Sequence, residues 1–299
     1  MEKSFLVIGT GEVGLAMLQS LNNFKQNNMQ QFTIGALVQP SMVGNINVNL
    51  GVSDLVIEEL DLVSQSSKDL SAIFSKYDTV ICCSGFSIGE GMQVKITKAI
   101  LEAGVRRYIP WQFGVDYDKI GRGSAQPVFD EQLDVRDLLR TQNKTQWIIV
   151  STGMITSFLF REDFGVISLS KKVVNALGDW KHSLTLTSCE EIGDLTVEIL
   201  FHQPEILNQV VFVSGDTVTF EQIADKMEDL FKTKFDRILW DSTYLQSQLD
   251  NNPNDVFNRY RLVFTNPGVT WPMEETFNYR NKIPTTGIVR WAEQNILSE

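Results

Sequence analysis

The stretch SFLVIGTGEVG, Ser4 to Gly14, decides how this chain folds. Ser4 to Ile8 is an apolar run of strand length, and Leu15, Leu18 and Leu21 then recur at helical spacing. Between them lies the pattern Gly-x-Gly-x-x-Gly. In such a strand–loop–helix the first glycine permits a tight turn and the second lets the backbone approach a pyrophosphate. The third lets the helix pack on the sheet. The first N–H groups of the helix have no partner inside it and face the phosphates. Gly9, Thr10, Gly11, Glu12, Val13 and Gly14 are therefore the expected cradle of a dinucleotide.

Working outward, Phe32 to Val38, Val56 to Leu60, Thr79 to Cys83, Arg107 to Pro110 and Trp147 to Val150 read as further strands. Helices are expected from about Gly91 to Ala103, with Gly104 as C-terminal cap, and from about Phe129 to Arg140. Short apolar strands alternating with helices make a parallel sheet. The fold class is α/β: a Rossmann-type doubly wound parallel sheet with a smaller C-terminal α+β substrate lobe. After Ser151 the rhythm changes. Helices at Glu190 to Phe201, Phe220 to Phe231 and Gly287 to Leu297, and a strand at Val210 to Val213, follow an aromatic-rich segment, Phe158 to Phe164. Residues 1–153 are expected to be the NAD(P)-binding domain and 154–299 the substrate lobe, whose strands are free to return to the main sheet.

Composition narrows the partners. A net charge of −11 disfavours nucleic acid, whose phosphates reward lysine and arginine. No apolar run approaches the length of a membrane span, and a strand within four residues of the N-terminus leaves no room for a leader. Three cysteines, two of them adjacent, build no disulfide framework and fit a cytoplasmic compartment. With two histidines and no pair at ligand spacing, no metal is expected.

Other candidate site residues lie at strand ends. Gln39, after the second strand, is neither the acid that binds a ribose hydroxyl nor the arginine that binds a 2′-phosphate, and can hydrogen-bond either form. Ser84, Gly85 and Phe86 open a loop able to cover the cofactor. Gln93 begins the next helix, facing the cofactor or solvent. Phe113, Met154, Phe158 and Trp180 would suit a flat apolar substrate, although core packing is an equal reading for the Met154–Phe158 group. Tyr117 reads first as a surface tyrosine in a polar loop; buried beside a nicotinamide, its phenol could give a proton to an oxyanion.

With these elements placed, the chain resembles the isoflavone reductase-like, NmrA-like branch of the atypical short-chain dehydrogenases/reductases. The glycine loop, ITKAILEAGVRRYIPWQFG (Ile96 to Gly114), FDEQLDVR (Phe129 to Arg136), TLTSCEEIGDLTVEIL (Thr185 to Leu200) and TFNY (Thr276 to Tyr279) carry the likeness. The segment around PWQFGVDYD is most similar to proteins called aromatic alcohol reductases. The resemblance implies an NADP(H)- rather than NAD(H)-dependent reductase of small aromatic or phenolic compounds, monomeric or a weak homodimer.

Three departures qualify it. The family's arginine after the second strand is Gln39. Its Pro-Ser-Glu-Phe-Gly turn reads Pro110-Trp111-Gln112-Phe113-Gly114. Its catalytic lysine, four residues before an arginine, falls at Gln132 before Arg136. A glutamine keeps neutral hydrogen bonding but loses the positive charge and the transferable proton. No tyrosine stands four residues before a lysine, so the Tyr-x-x-x-Lys pair of typical short-chain dehydrogenases is absent too. Gln132 and Tyr117 are the catalytic candidates. Two functions follow: a reductase of a small aromatic, phenolic or quinone-like substrate by direct hydride transfer, or an NmrA-like NAD(P)-sensing regulator that binds a protein partner.

Overall fold

The structure is a computed structural model and describes residues 3–42, 52 and 54–297. The expected strands form as β1 (Lys3–Ile8), β2 (Phe32–Val38), β3 (Val56–Glu59), β4 (Thr79–Cys82), β5 (Arg107–Ile109) and β6 (Gln146–Ser151). Shorter strands follow: β7 (Met154–Ile155), β8 (Ile167–Ser168), β9 (Val173–Leu177), β10 (Ser183–Thr187), β11 (Gln209–Phe212), β12 (Asp216–Thr219) and β13 (Asp236–Trp240). Helix Met92–Ala103 ends at Gly104, whose φ of 66° is the left-handed cap foreseen from the sequence.

Among the described residues seven strands make one sheet in the order β11-β6-β5-β4-β1-β2-β3. β1 runs parallel to both β2 and β4, so the strand order reverses direction beside it. β4 to β5, β5 to β6 and β2 to β3 are parallel as well. This is the doubly wound Rossmann-type sheet, and β11 from the second half of the sequence closes one edge of it.

Strand alternation sends successive side chains to opposite faces. Leu6 and Ile8 point into a core with Val80, Ile96, Tyr108 and Leu139, under helices Met92–Ala103 and Val128–Arg140. Phe5 points to the other face, where its ring lies 4.9 Å from Phe32 and 5.5 Å from Phe201. Phe24 stacks on Phe201 at 4.1 Å, which joins helix Glu12–Asn27 to helix Cys189–Phe201.

The chain divides into two compact units, each assembled from three stretches. The first comprises Met1–Phe113, Glu131–Val150 and Ile192–Val211; the second comprises Gly114–Asp130, Ser151–Glu191 and Phe212–Glu299. In the second, β10 lies between antiparallel β12 and parallel β7, and β9 lies between parallel β13 and antiparallel β8. Among the described residues no helix is long and apolar enough to cross a membrane.

Helices Glu12–Asn27 and Cys189–Phe201 meet at Gly193. A Cβ there would come 2.6 Å from Ser20 Oγ and 2.8 Å from the Ala16 carbonyl oxygen. Beside it the Ser20 hydroxyl donates to Asp194 Oδ1 at 2.6 Å. Gly193→Ala is expected to cost about 1–3 kcal/mol through overpacking, read by urea unfolding. Stability equal to the parent's would rule out this close approach.

Candidate active site

In an open α/β sheet the ligand crevice lies beyond the carboxyl ends of the strands, where the order reverses. In the first unit that rim carries Gly9 after β1, Gln39 after β2, Ser84 near the end of β4 and Trp111 after β5.

The three glycines of the loop are constrained differently. Gly9 holds φ at +90°, and a Cβ on it would strike the Ser84 side chain and backbone. A Cβ on Gly14 would land on the Gly9 carbonyl oxygen, so the helix starts hard against the turn. Gly11 is exposed, adopts extended backbone (φ −71°, ψ −174°), and a Cβ on it would meet nothing within 4 Å. The protein's own packing explains Gly9 and Gly14 but leaves space over Gly11. A close-approaching phosphate fits that vacant approach, at the N-terminus of a 16-residue helix with no side-chain cap. Thr10 is half-buried, Glu12 exposed and Val13 buried. Gln39 is exposed, and the run that follows it, 43–51, lies outside the described residues.

The Ser84–Phe86 loop is held from beneath. Gln93 Nε2 donates to the Ser84 carbonyl at 2.8 Å, and Gln93 is 2% exposed. Burial rules out the solvent-facing reading, and the side chain braces the loop from inside the protein. Cys82 is fully buried, and burial pushes its thiol up to about 11, so it supplies no thiolate. Above the loop, half-buried Trp111 packs edge-to-face with Phe86 at 6.4 Å and Phe113 at 5.8 Å. A Cβ on Gly85 would come 3.0 Å from the indole, so the ring lies directly over that backbone.

Gln132 sits on helix Val128–Arg140, which is fastened on both sides of it. Before it, the Glu131 carboxylate accepts from the N–H groups of Gly91 (3.0 Å), Gln93 (2.7 Å) and Val94 (3.1 Å). That carboxylate caps helix Met92–Ala103, where Gly91 has no side chain to do so. After it, the Arg136 Nε donates to Gln112 Oε1 at 2.7 Å, while Gln112 Nε2 donates to the Gln132 carbonyl at 2.8 Å. Gln112 is thus a brace between the β5 turn and the helix.

The Gln132 side chain is different. It is fully buried, and neither its Nε2 nor its Oε1 has a hydrogen-bond partner. A buried amide in that state costs about 1–3 kcal/mol per unsatisfied group, a cost that an arriving ligand can remove.

In the second unit Tyr117 departs from the surface reading. It opens a one-turn helix, Tyr117–Ile120, is 2% exposed, and its hydroxyl lies over Gly114. Rings connect it to Phe129 (5.0 Å), then Tyr260 (6.1 Å), then Phe158 (5.7 Å). Tertiary structure thereby joins two predicted residues, Tyr117 and Phe158, through two the sequence reading had not chosen as site residues. The available signal was the helical spacing of Phe257, Tyr260 and Phe264. Burial pushes the Tyr260 phenol up to about 12. Met154 is buried in β7, whereas Trp180 stands at the turn before β10, its carbonyl accepting from the Glu221 N–H.

A parallel sheet whose strand order reverses beside a glycine loop is the doubly wound, Rossmann-type architecture. The NmrA-like family profile matches residues 1–277, and the chain belongs to that family. An NmrA-like family domain-containing oxidoreductase of Gibberella moniliformis is 41% identical over 300 residues, covering 96% of each chain. Among solved structures, isoflavone reductase superposes with a TM-score of 0.81 at 18% identity, covering 99% of this chain and 100% of that one. AtPrR2 with NADP+ and (+)-pinoresinol has a TM-score of 0.77 at 16% identity, covering 99% of both.

Removing the shared cap tests how Gln132 is held. Glu131→Ala is expected to cost about 1–2 kcal/mol in chemical denaturation, as for loss of a charged N-terminal cap. An unchanged midpoint would mean that the helix is positioned by other contacts.

Proposed function

We propose that this protein is an NAD(P)H-dependent reductase of a small aromatic, phenolic or quinone-like acceptor, with NADP(H) as its cofactor. The observation that carries the reading is Gly11: a glycine that its own fold does not require, at the helix start where a phosphate would approach. Membership of a family with an oxidoreductase relative along nearly the whole chain supports it.

The bound dinucleotide would supply hydride. The chain's own groups do the rest. Gly9, Gly11 and Gly14 with the N–H groups of Thr10, Glu12 and Val13 receive the pyrophosphate. Gln39 reaches the adenosine ribose as a neutral hydrogen-bonding group, and the Ser84–Phe86 loop, braced by Gln93, covers the cofactor. Gln132 offers a neutral donor and acceptor where the family has lysine. Phe113, Met154, Phe158 and Trp180 supply apolar surface for the substrate, and Tyr117 is the second candidate for contact with its oxygen. The buried thiols and the charge balance support a cytoplasmic protein, monomeric or weakly dimeric, that uses neither nucleic acid nor membrane.

Gly11→Ala separates binding from folding. It should lose no more than about 1 kcal/mol of stability, as a change at a helix cap. It should weaken NADPH by at least about tenfold in a calorimetric titration, because the new methyl occupies the approach. Equal NADPH affinity in parent and variant would sink the assignment of this loop. Tight NADPH binding with no oxidation of NADPH by quinones, enones or phenolic ethers would move the protein to the NAD(P)-sensing regulator.

A further inference from the structure

Resting on the reductase reading, the first unit's rim also selects the substrate. We infer that Trp111 and Gln132 form a neutral recognition pair for a planar conjugated carbonyl, a quinone or enone, with Trp111 as aromatic platform and the Gln132 amide as hydrogen-bonding group for its oxygen. Neither role belongs to the residues that ordinarily occupy these positions in the resemblance noted above, where serine and lysine stand.

Two independent observations lead there. The Gln132 amide is fully buried with both polar atoms unpartnered, although its own carbonyl accepts from Gln112 Nε2 and the adjacent Glu131 carboxylate accepts from the Gln93 N–H. Packing therefore holds the side chain in a position where nothing in the described protein satisfies it, and a ligand oxygen can accept from Nε2. Trp111 is half-buried after β5, set edge-to-face between Phe86 and Phe113. Gln112, the residue after Trp111, donates from its side chain to the Gln132 carbonyl at 2.8 Å, which fixes this part of the helix to the turn that carries Trp111. A flat π-system offers what an indole face recognises.

The chemistry of the amide sets the class. A glutamine can donate a hydrogen bond to a carbonyl oxygen but has no proton to release. Cleaving a benzylic ether requires a proton on the departing oxygen, which this amide cannot give. Reducing a conjugated carbonyl does not. The acceptor gains a hydride, two electrons and one hydrogen nucleus, as NADPH is oxidised to NADP+. The charge then rests on a delocalised oxyanion that takes its proton from water.

The test is calorimetric titration of 2-methyl-1,4-naphthoquinone into NADP+-loaded protein, with (+)-pinoresinol as the ether comparison. The parent is expected to bind the quinone at least about tenfold more tightly than the ether. Trp111→Ser should weaken the quinone by at least about tenfold, with Trp111→Phe restoring most of the affinity. Gln132→Met should weaken the quinone while raising the melting temperature of the ligand-free protein, because it removes an unsatisfied buried amide. A lower melting temperature for Gln132→Met, or unchanged quinone affinity in both Trp111→Ser and Gln132→Met, overturns the pair, as does a preference for the ether. If the parent fails to bind NADP+, the reductase reading falls separately, and the quinone titration on cofactor-free protein still decides the roles of Trp111 and Gln132.

Discussion

The rest of the first unit depends on one contact: the backbone of Gly14 lies against the carbonyl of Gly9, closer than any side chain would allow. That approach starts helix Glu12–Asn27 directly from the turn after β1, at the rim where the strand order reverses. The same turn brings Gly9 against Ser84, so the glycine loop and the loop after β4 are placed together. A phosphate received at such a helix start would need no lysine or arginine. Oriented backbone N–H groups can hold an anion on a chain whose net charge is −11.

A second layer of constraint fixes helix Val128–Arg140. Glu131 serves the helix in front of it, and Arg136 with Gln112 ties it to the β5 turn. Gln132 lies between these anchors and cannot relax toward a partner of its own. An unsatisfied amide is tolerated in a folded protein only when the surroundings over-determine it, and such groups concentrate where ligands bind. Glu131, Gln112 and Arg136 hold the stretch of helix that carries it.

Strand and helix order was readable because it is a local property. The runs at Phe32 to Val38 and Phe220 to Phe231 match the structure end to end, and other boundaries moved by a residue or two. Periodicity and glycine placement act over a few residues, so they survive reading in one dimension. Gln93 and Tyr117 show where that ends. Each sits in a segment that looks polar, yet each is buried by elements remote in sequence.

The sequence by itself determined the glycine loop, the alternation that makes the parallel sheet, and the residue types at the strand ends. Only the tertiary structure decided which polar groups are spent. Gln112 and Gln132 are the same side chain, twenty residues apart. One is consumed bracing Arg136 and a backbone carbonyl, and the other is left with nothing to bond. Hydrogen-bond satisfaction depends on which groups long-range packing brings within about 3 Å, and no spacing along the chain encodes that.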